Sequence, residues 1–114
     1  MAESMGMLEF ATDSSLVVSS AETAERIRRY PECHLLWAVL ESGVEEYMKY
    51  VNATGRRGKR LFREAEAWIM QEDPSWLFSF VSICNVLELD ADYLRDGLRH
   101  WRETQLGMAL KQAA

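Results

Sequence analysis

The chain has 114 residues, 48% of them apolar, with four Trp, four Tyr and four Phe, enough large side chains for one core without metal or disulfide staples. No window approaches the ~20 apolar residues of a membrane span, and the start "MAESMGMLEF" lacks the basic flank and long apolar run of a secretory signal, so a cytoplasmic protein with no membrane partner is expected. The net charge of −5 by itself argues against a protein whose main business is a phosphate backbone.

That charge is unevenly spread. Residues 1–50 carry four Arg or Lys against nine Asp or Glu, whereas residues 51–114 carry nine of each. The acidity therefore belongs to the first half, and the second half has room for a basic surface.

Residues 1–18 show no sustained apolar period and are expected to form a loosely ordered N-terminal arm, with Leu16, Val17 and Val18 able to dock on the core. Residues 19–114 are expected to form a single helical domain. Ser19 followed by Glu22 has capping-box spacing and Pro31 marks a break, which predicts a short helix over Ala21 to Tyr30. In "PECHLLWAVLESGVEEYMKYVN" the residues Leu36, Leu40, Val44, Tyr47 and Val51 recur every three or four positions and define one buried face of a long helix. Glu41, Glu45, Glu46 and Lys49 make its solvated side.

"NATGRRG" supplies the Asn and Gly residues where that helix has to end, and Phe62, Ala65 and Ile69 predict a further helix over Lys59 to Gln71, flanked by Trp68. "EDPSW" reads as a turn, since Asp73 precedes a proline. Ser79 caps a short helix over Phe80 to Leu87, and Asp90 caps a last helix that runs to Gly107 or beyond with Leu94, Leu98, Trp101 and Gln105 on one side. No strand or repeat is predicted. The expected fold is all-α, with about five helices and a C-terminal hairpin packed on an N-terminal helical pair.

"GRRGKRLFR" brings Arg56, Arg57, Lys59, Arg60 and Arg63 together at the start of a helix, a set suited to backbone phosphates. The competing reading is that these cations line a solvated loop or pair with the acidic face of the preceding helix. A P-loop is excluded, because the glycines stand too close together, no strand precedes them and Arg60 replaces the magnesium-binding hydroxyl. The Gly-x-x-Gly spacing is similar to the loop of KH RNA-binding domains, but the sheet of that fold has no counterpart here.

Between Ser79 and Glu103, in "SFVSICNVLELDADYLRDGLRHWRE", Ile83, Val86 and Leu87 are the inward residues of a first helix and Cys84 is the small residue at the crossing. Leu89 is apolar in the turn, and Leu94 and Leu98 anchor the second helix. This segment resembles the helix-turn-helix of bacterial and phage regulators and of sigma-factor region 4, and the unit so defined spans residues 79–106. The resemblance implies a non-enzymatic DNA-binding transcriptional regulator. It places Tyr93, Arg95, Arg99 and Arg102 toward the DNA groove, and the separate basic cluster of Arg56, Arg57, Lys59, Arg60 and Arg63 is then expected to hold the backbone beside them. Glu88 stands where the family usually has glycine, which is tolerable if the turn avoids a positive φ. Asp92 and Asp96 fall among the groove positions and would repel phosphate, while Asp90 and Asp92 lie at the helix N-terminus, where carboxylates stabilise the helix.

No catalytic constellation stands out. Glu41 and Glu45 share a face without a following Glu-x-x-His, and neither His34 nor His100 has a Ser or Cys arrangement beside it. Cys33 with His34 places adjacent ligand types on different sides of a helix, so neither a metal nor any other cofactor is expected. Cys33 and Cys84 read as reduced, buried thiols. The four tryptophans, Trp37, Trp68, Trp76 and Trp101, read most simply as core, with Trp76 and Phe78, in the loop, the first candidates for an exposed contact patch. The expected partner is DNA, with a homodimer or protein contact through the acidic N-terminal half. The alternative is a helical protein-interaction module that binds a basic partner through Glu41, Glu45 and Glu46.

Overall fold

Five helices build residues 21–113, the part of the chain that the computed structural model describes: α1 (Ala21–Arg29), α2 (Pro31–Lys49), α3 (Arg56–Met70), α4 (Phe80–Leu87) and α5 (Ala91–Ala113). There is no strand among the described residues, so the fold is all-α. The arm expected over residues 1–18 and the Ser19 half of the capping box lie outside them. None of the described helices is long and apolar enough to cross a membrane.

Pro31 sets the first corner. Its ring forces the preceding residue out of helical space, and Tyr30 is extended at φ −107°, ψ 121° while Pro31 takes the first position of α2. α2 is the centre of the molecule, touching α1, α3 and α4. Cys33, Leu36, Trp37, Leu40, Val44 and Tyr47 form its buried face. Of the predicted stripe only Val51 is half-buried, because the helix has ended before it. Leu40, Val44 and Tyr47 are wholly enclosed, and burial of such a side chain contributes about 1.5–3 kcal/mol.

α3 begins at Arg56, earlier than the sequence predicts. Gly55 is the extended N-cap, and Gly58 sits inside the first turn and does not break it. A methyl group on Gly58 would stand 2.7 Å from Ala53 Cβ, so glycine is needed there for close approach to the preceding loop. Gly43 of α2 has the same role further along, where an added Cβ would lie 2.5 Å from Trp68 Cζ3. Phe62, Ala65 and Ile69 are buried as their spacing predicts.

The α4–α5 hairpin is closed by side-chain and backbone caps at three points. Ser79 Oγ accepts from the Ser82 amide at 3.2 Å, and Asp90 Oδ1 accepts from the Tyr93 amide at 3.0 Å. Between them the amides of Glu88 and Leu89 donate to the carbonyls of Asn85 and Cys84, at 3.3 and 2.8 Å, the double bond pattern of a Schellman turn. That turn requires a left-handed residue, and Glu88 supplies it at φ 60°, ψ 41°. The turn therefore does not avoid a positive φ, and a glutamate occupies the conformation that favours glycine. Ile83, Cys84, Leu87, Leu94 and Leu98 are buried as expected and Phe80 joins them, but Val86 is 39% exposed. Its side of the short α4 faces solvent, and its carbonyl accepts from Arg26 Nη2 of α1.

α5 runs antiparallel to α3. Arg95 near its start meets the end of α3 at Ile69 and Gln71, and Arg102 further on meets Glu66 and Phe62. This pairing decides where the predicted functional arginines finish.

Candidate nucleic-acid interface

The first two turns of α3 form the most cationic surface among the described residues. Arg56, Arg57, Lys59, Arg60 and Arg63 are all exposed. The first turn holds no acidic residue and the N-cap Gly55 offers no side chain to the free amides, so the positive end of the helix dipole adds to these charges. Arg60 makes a long contact to Glu64, Nε to Oε2 at 3.9 Å, with both side chains well exposed. Arg56, Arg57, Lys59 and Arg63 make no ion pair with another described residue. The acidic face of α2 does not neutralise them.

Arg102 joins this surface from α5. A cleft of about 220 Å³ opens between the end of α2, α3 and α5, and Tyr50, Ala53, Lys59, Phe62, Arg63 and Arg102 line it. Gly58 makes this cleft possible by letting the start of α3 lie close against Ala53 and Tyr50. The Arg102 guanidinium stacks 5.0 Å from the Phe62 ring and donates from Nη1 to Glu66 Oε2 at 2.8 Å. Beneath it lies the fully enclosed Tyr47. Neither the Tyr47 hydroxyl nor Arg102 Nε has a hydrogen-bond partner of good geometry, although both are shielded from solvent. Burial pushes the Tyr47 phenol above its ordinary pKa of 10.0, and the neighbouring Arg102 charge opposes that rise.

Arg99 lies on the same side as Arg102. The two face a groove of about 370 Å³ between α3 and α5, which Glu66, Met70, Glu103 and Leu106 complete. Arg99 is exposed but engaged: Nη1 donates to Asp96 Oδ1 at 2.9 Å and Nη2 lies 3.4 Å from Met70 Sδ.

The other two groove candidates are placed differently. Tyr93 is half-buried against the core and its amide serves the Asp90 cap. Arg95 is 3% exposed and does not face outward at all. Its Nε donates to Ile69 O at 2.8 Å and its Nη2 to Gln71 O at 2.8 Å, while Nη1 meets Glu72 Oε2 at 3.0 Å and Asp92 Oδ1 at 3.4 Å. The last carbonyls of α3 have no intrahelical donors, and a guanidinium satisfies two of them at once. Arg95 is a helix cap and is corrected to that role. Asp92 and Asp96 are exposed, so the outer edge of α5 opens on carboxylates.

Arg26 does for α4 what Arg95 does for α3, with Nη1 3.3 Å from Glu88 Oε1 in an ion pair that lacks hydrogen-bond geometry. Nothing local in the sequence around Arg26 or Arg95 marks either as a cap. The aromatic walls of the cleft, Tyr50 and Phe62, were also missed as a site. Phe62 was legible only as a core residue, and its contact with Arg102 depends on the antiparallel pairing.

Cys33 and Cys84 are free and buried, and burial pushes the Cys84 thiol up to about 12, which keeps it protonated and unreactive at neutral pH. His34 and His100 are exposed, and no three His, Cys, Asp or Glu side chains among the described residues are arranged to hold a metal. Comparison of the chain with protein-family models, curated proteins and solved structures finds no match to any of the three.

Proposed function

We propose that the protein is a non-enzymatic DNA-binding regulator that holds the duplex mainly by its phosphate backbone. The observation that carries this reading is the exposed, acid-free cationic start of α3, to which Arg102 adds a charge across the cleft. Counterion release from such a cluster favours binding, and exposed cations lose little by forming the contacts. In support, the α4–α5 hairpin buries Cys84, Leu94 and Leu98, the residues expected to anchor such a unit. Its reading edge is nonetheless poor, because Arg95 is enclosed and Asp92 and Asp96 face outward. The hairpin then works chiefly to orient Arg99 and Arg102, and sequence discrimination is weak.

Fluorescence anisotropy with a random-sequence duplex across a range of salt tests this. Affinity should fall steeply with salt, and each lost phosphate contact lowers the slope by about 0.9. Arg56→Ala with Arg57→Ala should flatten it by about 2, and Lys59→Ala with Arg63→Ala by a similar amount. Absence of binding at low salt would remove the proposal.

A further inference from the structure

Residues 71–79 link α3 to α4 and keep two neighbouring large apolar side chains out of the core, Trp76 and Leu77, each 54% exposed. The link is held at several points. Ser75 N donates to Asp73 Oδ1 at 2.9 Å, Ser79 N to Trp76 O at 3.0 Å, Ser82 Oγ to Pro74 O at 2.8 Å and Trp68 Nε1 to Phe78 O at 3.0 Å. The Trp76 ring also meets the Phe78 ring edge-on, with centroids 6.4 Å apart.

Single exposed apolar residues are ordinary on a protein surface. A Trp and a Leu side by side on a pinned segment are a different case. Much of the ordering entropy that a binding loop must otherwise lose is already spent on folding, and tryptophan is the side chain that most often dominates an interface.

The surroundings define the partner's charge. Glu72 and Asp73 belong to the same link, and Asp92 stands close to Glu72 because both contact Arg95 Nη1. Glu72 and Asp92 are well exposed, whereas the Arg95 they share is enclosed. Hydrogen bonds from Ser75 hold the Asp73 carboxyl below its ordinary range, so it stays charged. An exposed Trp and Leu on a link that also carries these carboxylates disfavours phosphate and complements lysine and arginine.

We propose that the 71–79 link is a docking knob for a partner protein, with Trp76 and Leu77 seated in an apolar pocket that lysine and arginine rim. This surface is separate from the cationic start of α3 and does not depend on nucleic-acid binding. The test is selection of a displayed random peptide library on the full chain, with the enriched peptides then titrated against variants. Enriched peptides should combine aliphatic or aromatic residues with Lys or Arg. They should bind Trp76→Ser/Leu77→Ser more than about tenfold more weakly, and Glu72→Gln/Asp73→Asn also more weakly, while the first variant keeps the parent melting curve and both stay folded with salt-dependent duplex binding. No enrichment, enrichment of acidic or uncharged peptides, or binding that survives Trp76→Ser/Leu77→Ser would overturn the proposal. Sedimentation showing self-association that this double variant abolishes would also overturn it, by giving the surface to a second copy of the chain.

Discussion

Arg95 Nε donates to the carbonyl of Ile69 at 2.8 Å from a side chain that is 3% exposed, which joins the start of α5 to the end of α3. The same guanidinium lies 5.2 Å above the Phe80 ring of α4, so three helices meet at one side chain. Arg95→Ala removes the donors to Ile69 and Gln71 and leaves a void beside Phe80. It should cost about 2–4 kcal/mol in urea unfolding. Arg95→Lys, which keeps the charge without the planar fork, should cost less and leave the salt slope of duplex binding unchanged. An Arg95→Ala protein with the parent midpoint would refute the capping role.

Glu88 occupies a left-handed position at φ 60°. A non-glycine residue there carries a penalty of about 1–2 kcal/mol, part of which glycine returns through its freer unfolded state. The ion pair to Arg26 that would be lost joins an exposed Glu88 to a part-buried Arg26 without hydrogen-bond geometry, so it contributes little. Glu88→Gly should therefore stabilise the protein by about 0.5–1 kcal/mol in thermal or urea unfolding.

The core was legible wherever one helix face repeats, as in Leu36, Leu40, Val44 and Tyr47, or in Leu94 and Leu98, because burial of a stripe needs only helical periodicity. Arg95 was not legible. It borders Leu94 on the helix surface, and whether solvent or the end of another helix lies beside it depends on how α3 and α5 pair. Val86 shows the same limit, three residues after Ile83 yet turned out of a helix too short to bury a second row. Gly58 reads locally as a breaker, while its actual constraint is Ala53 across the loop. The basic cluster was visible as a run of charges, but Arg102 belongs to it only through the tertiary fold.

Gly43→Ala sets two effects against each other. Alanine gains about 1 kcal/mol of helix propensity, but its methyl would overlap Trp68, whose indole must shift and strain the bond to Phe78 O. Overpacking costs about 1–3 kcal/mol and the hydrogen bond about 1, so the variant should be less stable by about 1–2 kcal/mol. Tryptophan emission should shift with it. A more stable variant would show that α2 and α3 separate freely.

Glu41 has its pKa raised above 4.5 by burial, with the Glu45 charge adding to the effect. The folded state therefore holds this proton more tightly than the unfolded chain. The resulting stabilisation is fully present below pH 4.5 and is lost as pH rises through the folded value. Glu41→Gln should be more stable than the parent at neutral pH, and the difference should close as the pH falls below 4.5. Parallel urea titrations at both pH values check this, and a difference independent of pH would contradict it.

α3 has 15 residues and so spans about 21 Å at the usual helical rise. Its cationic turns stand at one end and the Trp76 link leaves from the other, while Gly58 sets its approach to the α2–α3 loop at the cationic end and Gly43 its spacing from α2 further along. The helix is then a spacer whose length is tied to the rest of the bundle, because Arg102 and Arg95 of α5 grip it at Glu66 and Ile69 and a change in its number of turns would take both contacts out of register.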